Sequence, residues 1–210
     1  FEAIKNSEQL DAFFDQHFAD VKALIPDLMH DYFNNPTGYL GTIRCNDWHH
    51  KNVILTGDAA HAIVPFHGQG MNAGFEDCSA LDAALEAADD DWELALPIFE
   101  ASRINNANAI ADMALENYVE MRSSVRDPKF HLKKKIAFEL ETRLPDYFIP
   151  RYSMVMFHLI PYSDAQSRGL IQARILERLS QDVETIEGVD FERAERLVMN
   201  KLPRLNLSTH

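Results

Sequence analysis

Residues 57–78, which read GDAAHAIVPFHGQGMNAGFEDC, place glycines, histidines and acids between a short apolar run and a helical pattern. The apolar run at 53–56 predicts a buried strand that ends at Gly57 and Asp58. Ligands of α/β folds bind outside the carboxyl ends of such strands. Because an ionised aspartate only accepts hydrogen bonds, Asp58 suits a ligand hydroxyl such as that of a ribityl or ribose chain.

The glycines of this stretch allow the backbone to approach a flat ligand. Gly57 can bring the chain close to it, and Gly68 and Gly70 place no side chain in the way. The helix that begins near Gly70 would direct free N–H groups and a positive dipole end at the ligand. Such a helix end would stabilise a reduced flavin, which is anionic at its N1–C2=O edge. The alternative is a structural glycine-rich turn in which Asp58 caps a helix.

A dinucleotide-binding fingerprint fits these glycines less well. Gly68, Gly70 and Gly74 are spaced G-x-G-x-x-x-G, one residue longer than the Rossmann motif. That motif also requires an acid after the next strand, whereas the acids at 89–91 follow a helical pattern. We therefore predict that this stretch does not bind the ADP half of a dinucleotide.

The same stretch resembles the second flavin-binding motif of the class A flavoprotein aromatic hydroxylases, the para-hydroxybenzoate hydroxylase-like family. That motif reads approximately G-D-A-A-H-x-x-x-P-x-x-G-x-G-M-N-x-G-x-x-D, and its matches here are Gly57, Asp58, Ala59, Ala60, His61, Pro65, Gly68, Gly70, Met71, Asn72, Gly74 and Asp77. Residues 65–78, 116–122 and 149–157 resemble, in that order, the members that hydroxylate kynurenine. His67 differs from members that carry an aromatic residue there.

The resemblance implies hydroxylation of L-kynurenine to 3-hydroxykynurenine, a step of tryptophan catabolism, with FAD as cofactor and NADPH and O2 as co-substrates. The flavin would carry the chemistry by adding oxygen at its C4a atom, so no side chain is expected to act as a catalytic acid or base. The implied cofactor-binding residues are Asp58, Gly57, Pro65, Gly68, Gly70, Met71 and Asn72. The implied substrate-binding residues are Asn117, Tyr152, Phe66, His67, Gln69, Glu120 and Met121.

The pattern of residues 110–121 supports part of this assignment independently. One face of a helix would carry an apolar stripe interrupted by polar residues, with Ile110, Met113, Asn117, Glu120 and Met121 at steps of three and four. A buried asparagine needs a hydrogen-bond partner, which is either a ligand or nearby backbone. Tyr152 follows a proline, and its phenol fits either a pocket or the core.

The histidines at 49, 50, 61 and 67 lack the spacing of zinc ligands on one helix, so we predict no metal site. His61 is expected to fix the loop through hydrogen bonds. The net charge of −13, from 33 acids against 20 bases, argues against a nucleic-acid partner. No apolar run reaches the roughly 20 residues that span a bilayer. We expect a soluble, bacterial-type cytoplasmic protein, or one of the mitochondrial outer membrane if it is eukaryotic.

The remaining patterns are mostly helical. Helices are predicted at 7–18 and at 20–33, the second interrupted at Pro26, and then near 70–88, 92–124, 128–143, 163–181 and 190–202. Strands are predicted at 39–45 and 52–56, joined by a loop at 47–52, and 145–161 is expected to be irregular. The expected fold is the α/β (α+β) end of an FAD-binding domain over 1–105, followed by a mostly α-helical C-terminal domain over 106–210.

The family also requires a G-x-G-x-x-G unit for the ADP half of FAD, and none occurs in these 210 residues. We therefore expect the chain to be the C-terminal portion of an enzyme that functions with its N-terminal half, and a homodimer is compatible with the sequence. Two alternatives remain open. One is a class A hydroxylase of another, phenolic substrate, and the other is a non-catalytic helical interaction module.

Overall fold

The computed structural model describes residues 2–205 and divides into two compact units, Phe1–Leu40 and Gly41–His210. The first unit contains helices α1 (Ser7–His17), α2 (Ala19–Lys22) and α3 (Leu28–Asn34). The predicted helix at 7–18 is thus confirmed, with Asn6 as its cap, since the Asn6 side chain accepts from the Gln9 N–H. The helix predicted at 20–33 is split in two because Pro26 disfavours a helical conformation in the residue before it.

The second unit contains one short sheet and seven helices among its described residues. Strands β1 (His49–His50) and β2 (Val53–Ile54) form an antiparallel hairpin. The helices are α4 (Asp58–His61), α5 (Gly70–Ala87), α6 (Trp92–Ser123), α7 (Pro128–Arg143), α8 (Arg151–Phe157), α9 (Tyr162–Ser180) and α10 (Phe191–Lys201). Single 3₁₀ turns lie at Pro65–His67, Ser124–Arg126 and Ile186–Gly188.

Three predictions about this unit were wrong. Residues 39–45 form no strand, although the N–H groups of Ile43 and Cys45 donate to the carbonyls of Ala62 and Ala60, because these two bonds do not build a ladder. The loop predicted at 47–52 contains β1. The strand predicted at 52–56 is present as β2, although it has only two residues. The segment 145–161, expected to be irregular, contains α8.

Helix α6 connects two hydrophobic clusters of this unit. Near its start, Phe99 packs with Trp48, the residue before β1, and with alanines of α5. Further along, Ile110 and Met113 pack with Met154 of α8 and with the first turn of α9. A third cluster joins α7, α9 and α10 around Phe148. The predicted domain boundary after residue 105 falls inside α6 and stays a prediction about the whole protein.

Helices α8 and α9 approach each other closely at Gly169. A Cβ at this position would overlap Cδ of Arg151 and lie 2.8 Å from its Cγ, while the Arg151 guanidinium pairs with Glu116 of α6. We expect Gly169→Ala to lower the free energy of unfolding by about 1–3 kcal/mol through this overlap. Alanine also has a higher helix propensity than glycine by about 1 kcal/mol, and this gain offsets part of the loss from the overlap.

Urea unfolding of the full-length protein measures this change. Gly41→Ala is the control, because a Cβ there would meet no atom within 4 Å. A Gly169→Ala variant at least as stable as the wild type would show that Arg151 moves aside without cost.

Candidate functional site

The turn after β2 presents the Asp58 carboxylate to solvent. Gly57 has a φ of 56°, a backbone conformation that favours glycine, and α4 begins immediately after it. Asp58 is exposed, and no side chain caps α4, so the alternative in which Asp58 serves as a cap is wrong. The Asp58 carboxylate accepts no hydrogen bond from any other residue within the described range 2–205. It is therefore free to accept hydrogen bonds from a ligand.

Asp77 of α5 holds this turn in place from beneath. One carboxylate oxygen accepts from the Gly57 N–H at 2.9 Å and from Nε2 of His61 at 2.6 Å. The other oxygen accepts from Nε of Arg103, on α6, at 2.7 Å. The Asp77 side chain is fully buried, so each of these bonds is shielded from water. The predicted role of His61 in fixing the loop is confirmed.

The partners of Asp77 keep its carboxyl group ionised. Burial alone would raise the pKa of Asp77, but the hydrogen bonds from His61, Gly57 and Arg103 outweigh burial and lower the pKa below its ordinary value. The charge of Asp77 is thus balanced by the guanidinium of Arg103. The indole of Trp48 lies over the His61 ring, with 5.0 Å between ring centroids, and completes the enclosure.

The start of α5 is the second part of the candidate cofactor site. Gly68, with a φ of 70°, turns the chain toward Gln69, and α5 begins at Gly70 with no side chain capping it. The N–H groups of Gly70, Met71 and Asn72 therefore have no helical partner. Met71 and Asn72 are exposed. These donors and the carboxylate acceptor of Asp58 fit the two edges of a flavin, its carbonyl-rich pyrimidine ring and its hydroxylated ribityl chain.

A cluster around the 3₁₀ turn Pro65–His67 brings together most of the predicted substrate residues. Nδ2 of Asn117 donates to the carbonyl oxygen of Phe66 at 2.6 Å, which is the backbone partner expected if Asn117 has a structural role. Phe66 packs against Tyr118 with ring centroids 4.6 Å apart. Asn117 therefore anchors the turn to α6, and its carbonyl oxygen makes no hydrogen bond within the described part of the chain.

His67 is buried and stacks on Tyr152 of α8, with 5.3 Å between ring centroids. Burial lowers the pKa of His67; the charge of Arg151 lowers it further, and Glu120 opposes both. Nδ1 of His67 has no hydrogen-bond partner among residues 2–205. Tyr152 is 52% exposed, so part of it is accessible to a ligand. This pair forms a neutral aromatic wall.

The lowered pKa of His67 makes the protein sensitive to acid. Because the unfolded chain binds this proton more readily than the folded one, the free energy of unfolding falls as pH decreases through about 6.5 toward the folded pKa. We expect His67→Phe to reduce this dependence between pH 7.5 and 5.5, measured by urea unfolding of the full-length protein. His50→Gln, at an exposed histidine, is the control. Equal pH slopes for His67→Phe and the wild type would contradict the prediction.

The other predicted substrate residues lie at the edges of this cluster. Gln69 is buried, and its carbonyl oxygen accepts from Asn72 at 3.0 Å and from the hydroxyl of Tyr162 at 3.2 Å. Glu120 pairs with Lys134 of α7 at 3.5 Å, and Met121 is 57% exposed. Beside Gln69, a groove of about 660 Å³ runs between α5 and residues 155–162. Gln69 thus belongs to the α5 side of the site.

The described residues hold neither a candidate metal site nor a membrane-spanning helix. Between residues 2 and 205, no three or more histidine, cysteine or acidic side chains converge in a way that could hold a metal ion. Within the same range, none of the helices combines the length and the apolar character needed to cross a bilayer.

The chain is similar in sequence to a known domain family and to individual proteins. The model of an FAD binding domain matches residues 27–93, which include the turn at Asp58 and the start of α5. Kynurenine 3-monooxygenases of Legionella pneumophila, Myxococcus xanthus and Stenotrophomonas maltophilia are 41%, 45% and 44% identical to this chain over 94%, 96% and 98% of its length. The chain spans 44–45% of the length of these relatives. By sequence, the chain is similar to kynurenine 3-monooxygenases over nearly its whole length, and it spans somewhat less than half of theirs.

Proposed function

We propose that the protein to which this chain belongs is an FAD-dependent monooxygenase that converts L-kynurenine to 3-hydroxykynurenine with NADPH and O2. The observation that carries the proposal is the exposed Asp58 carboxylate, which has no hydrogen-bond partner among residues 2–205. Its neighbour Gly57 lies against Gly74 near the start of α5, where no described side chain caps the helix. The identity to kynurenine 3-monooxygenases over nearly the whole chain supports the substrate.

In this proposal the chain supplies the contacts to the flavin ring and ribityl chain. Asp58 accepts hydrogen bonds from ribityl hydroxyls, and the N–H groups of Gly70, Met71 and Asn72 donate to the pyrimidine edge. Gly57 and Gly68 make this approach possible because both have a positive φ, a backbone conformation that would be strained in a residue with a side chain. The bound FAD would supply the activation of oxygen, which no side chain can provide. The remaining half of the protein would bind the ADP part.

The aromatic cluster would hold the substrate ring. Phe66, His67 and Tyr152 form its wall, and Asn117 keeps Phe66 in place. The amine on the kynurenine ring donates electrons to the carbon that is hydroxylated, so the ring needs no protein base to activate it. The role of the chain is then to position the ring and exclude water. The neutral His67 suits this role because it adds no charge next to the ring.

The test of the cofactor site is the retention of FAD by the full-length protein. Asp58→Ala is expected to weaken FAD binding about tenfold or more, because it removes a charged acceptor for ribityl hydroxyls. Titration of flavin fluorescence measures this affinity. Asp82→Ala, at an exposed acid further along α5, is the control and should bind FAD like the wild type. Equal affinities of the Asp58→Ala variant and the wild type would contradict the assignment.

The test of the substrate is the oxidation of NADPH by the same protein with kynurenine or with a hydroxybenzoate present. We expect kynurenine to stimulate the reaction and to be hydroxylated. Tyr152→Phe should raise its KM, because it removes the hydroxyl that would help to hold the amino-acid end of kynurenine. Tyr39→Phe, at a tyrosine that is 96% exposed, is the control. Hydroxylation of the phenol alone would support the other substrate class, and a preparation without flavin would support the non-catalytic alternative.

Three further assignments belong to the same proposal. The chain would be the C-terminal portion of the enzyme, with an α/β FAD-binding part over 1–105 and a helical domain over 106–210. Its partner would be the N-terminal half, and the whole protein would function in the cytoplasm. Size-exclusion chromatography of the full-length protein would test whether it forms a homodimer.

A further inference from the structure

Arg103 connects the two parts of the proposed cofactor site. Its Nε donates to Asp77, which in turn accepts from the Gly57 N–H and from His61 in the turn that carries Asp58. Its Nη2 donates to the carbonyl oxygen of Ala73, in the first turn of α5, at 3.1 Å. One guanidinium thus contacts both the support of the Asp58 turn and the end of α5 that presents the free N–H groups.

The third contact of Arg103 fixes the plane of its guanidinium. Nη1 donates to Glu76 at 3.0 Å, and the arginine side chain is 7% exposed. Three acceptors in three directions are thereby satisfied by one planar group, which a lysine ammonium on a flexible stem cannot reproduce. The Asp58 turn lies against α5 at Gly74, where a Cβ would make an ordinary van der Waals contact of 3.7 Å with Cα of Gly57. Small changes at Arg103 should therefore move the Asp58 turn relative to α5.

We propose that Arg103 is a positioning residue that sets the distance between the Asp58 carboxylate and the N-terminal N–H groups of α5. This inference rests on the proposed function, because the distance matters only if both groups contact one flavin. The N–H groups stabilise the anionic reduced flavin more than the neutral oxidised form. If Arg103 sets their position, it sets the preference of the site for the reduced form.

The experiment measures the midpoint potential of FAD bound to the full-length protein, in the wild type and in Arg103→Lys. The lysine keeps the positive charge near Asp77 but loses the planar fork that reaches Ala73 and Glu76. We expect the variant to prefer the reduced flavin about tenfold less, which lowers the potential of a two-electron couple by about 30 mV. The potential is a ratio of two affinities of folded protein, so a loss of global stability does not change it.

Two further variants complete the design. Arg44→Lys, at a half-exposed arginine paired with Asp112 on α6, is the charge-conserving control and should keep the wild-type potential. If Arg103→Lys does not fold, the double variant Arg103→Gln with Asp77→Asn replaces both charges with neutral groups and leaves no unpaired buried charge. Because glutamine is too short to reach both the side chain at position 77 and the carbonyl oxygen of Ala73, the same fall in potential is expected.

The outcomes separate the inference from the function on which it rests. A wild-type protein that binds no FAD would overturn the proposed function itself. A wild type that binds FAD, together with folded Arg103 variants of unchanged potential, would overturn the positioning role alone and leave Arg103 as a structural ion pair. A fall in potential in the Arg103 variants, with none in Arg44→Lys, supports the inference.

Discussion

Replacement of Asp77 with alanine is expected to lower the free energy of unfolding by about 3–5 kcal/mol, because it leaves the buried charge of Arg103 without its main counter-ion. Asp77 has no exposed surface, and the Arg103 side chain is 7% exposed, so water cannot replace the lost carboxylate. The Gly57 N–H and Nε2 of His61 lose their acceptor as well. A single truncation thus leaves three donors unsatisfied.

Urea unfolding of the full-length protein at neutral pH measures this loss. Asp77→Asn retains an acceptor oxygen but not the charge, so it should fall between the alanine variant and the wild type. Asp82→Ala, at an exposed acid on the same helix, should change the free energy of unfolding by less than about 0.5 kcal/mol. An Asp77→Ala variant within about 1 kcal/mol of the wild type would show that Arg103 finds other partners.

The pH dependence of this contribution has a defined sign. The pKa of Asp77 is lower in the folded state than its ordinary value. The stabilisation is therefore fully present above the unfolded pKa, and it is lost as pH falls through the folded pKa. The Asp77→Asn variant has no such group, so its stability should decrease less steeply below about pH 4. The free energy of unfolding of the wild type and of Asp77→Asn, measured as a function of pH, separates the effect of the charge from the effect of the altered side chain.

The helices of the second unit were predictable because the sequence contains capping residues at their N-termini. Asp91, Asp127 and Asp190 cap α6, α7 and α10 with side-chain hydrogen bonds, and all three helices begin within two residues of the predicted positions. Helix α8 was missed because Pro150 and Pro161 suggested an irregular segment. Each proline lies immediately before a helix, where its missing N–H costs nothing.

The strands were less predictable because pairing depends on residues far away in the sequence. Residues 39–45 alternate like a strand, yet the backbone N–H groups of Ile43 and Cys45 donate to carbonyls of α4 and of the residue after it. The histidines of β1 have no strand pattern, and β1 is attached to α6 by Glu100, which accepts from the N–H groups of Trp48 and His49. Tertiary hydrogen bonds of this kind have no local signature.

The motif contains both Asp58 and Asp77, whereas Arg103, which pairs with Asp77, lies outside it on a stripe of α6. On α6, Phe99, Arg103, Ala107 and Ile110 are all buried at steps of three and four, so a charged residue interrupts an apolar face. On α5, Asp77 interrupts the same kind of face, four residues after Ala73. The rule applied to Asn117, that a buried polar residue needs a partner, would have singled out both. The pairing of the two helices could not be read from sequence.

Trp48→Ala is expected to cost about 3–5 kcal/mol of unfolding free energy, since it opens a cavity under the candidate cofactor site. Trp48 is 2% exposed and packs on both His61 and Phe99. Its indole N–H donates to the carbonyl oxygen of Cys45 at 3.1 Å. The truncation therefore removes the ring that packs on His61 and the hydrogen bond that Trp48 makes to Cys45 in the segment before β1.

A graded series separates these two contributions. Trp48→Phe keeps an aromatic face for His61 but loses the hydrogen bond to Cys45, so its loss of stability should be smaller than that of alanine. Trp92→Ala, at a tryptophan that is 53% exposed, is the matched control and should cost far less. Urea unfolding of the full-length protein gives the three values. If Trp48→Ala is no more destabilised than Trp92→Ala, the cluster beneath His61 does not support the turn, and the Asp77–Arg103 pair alone holds Asp58 in place.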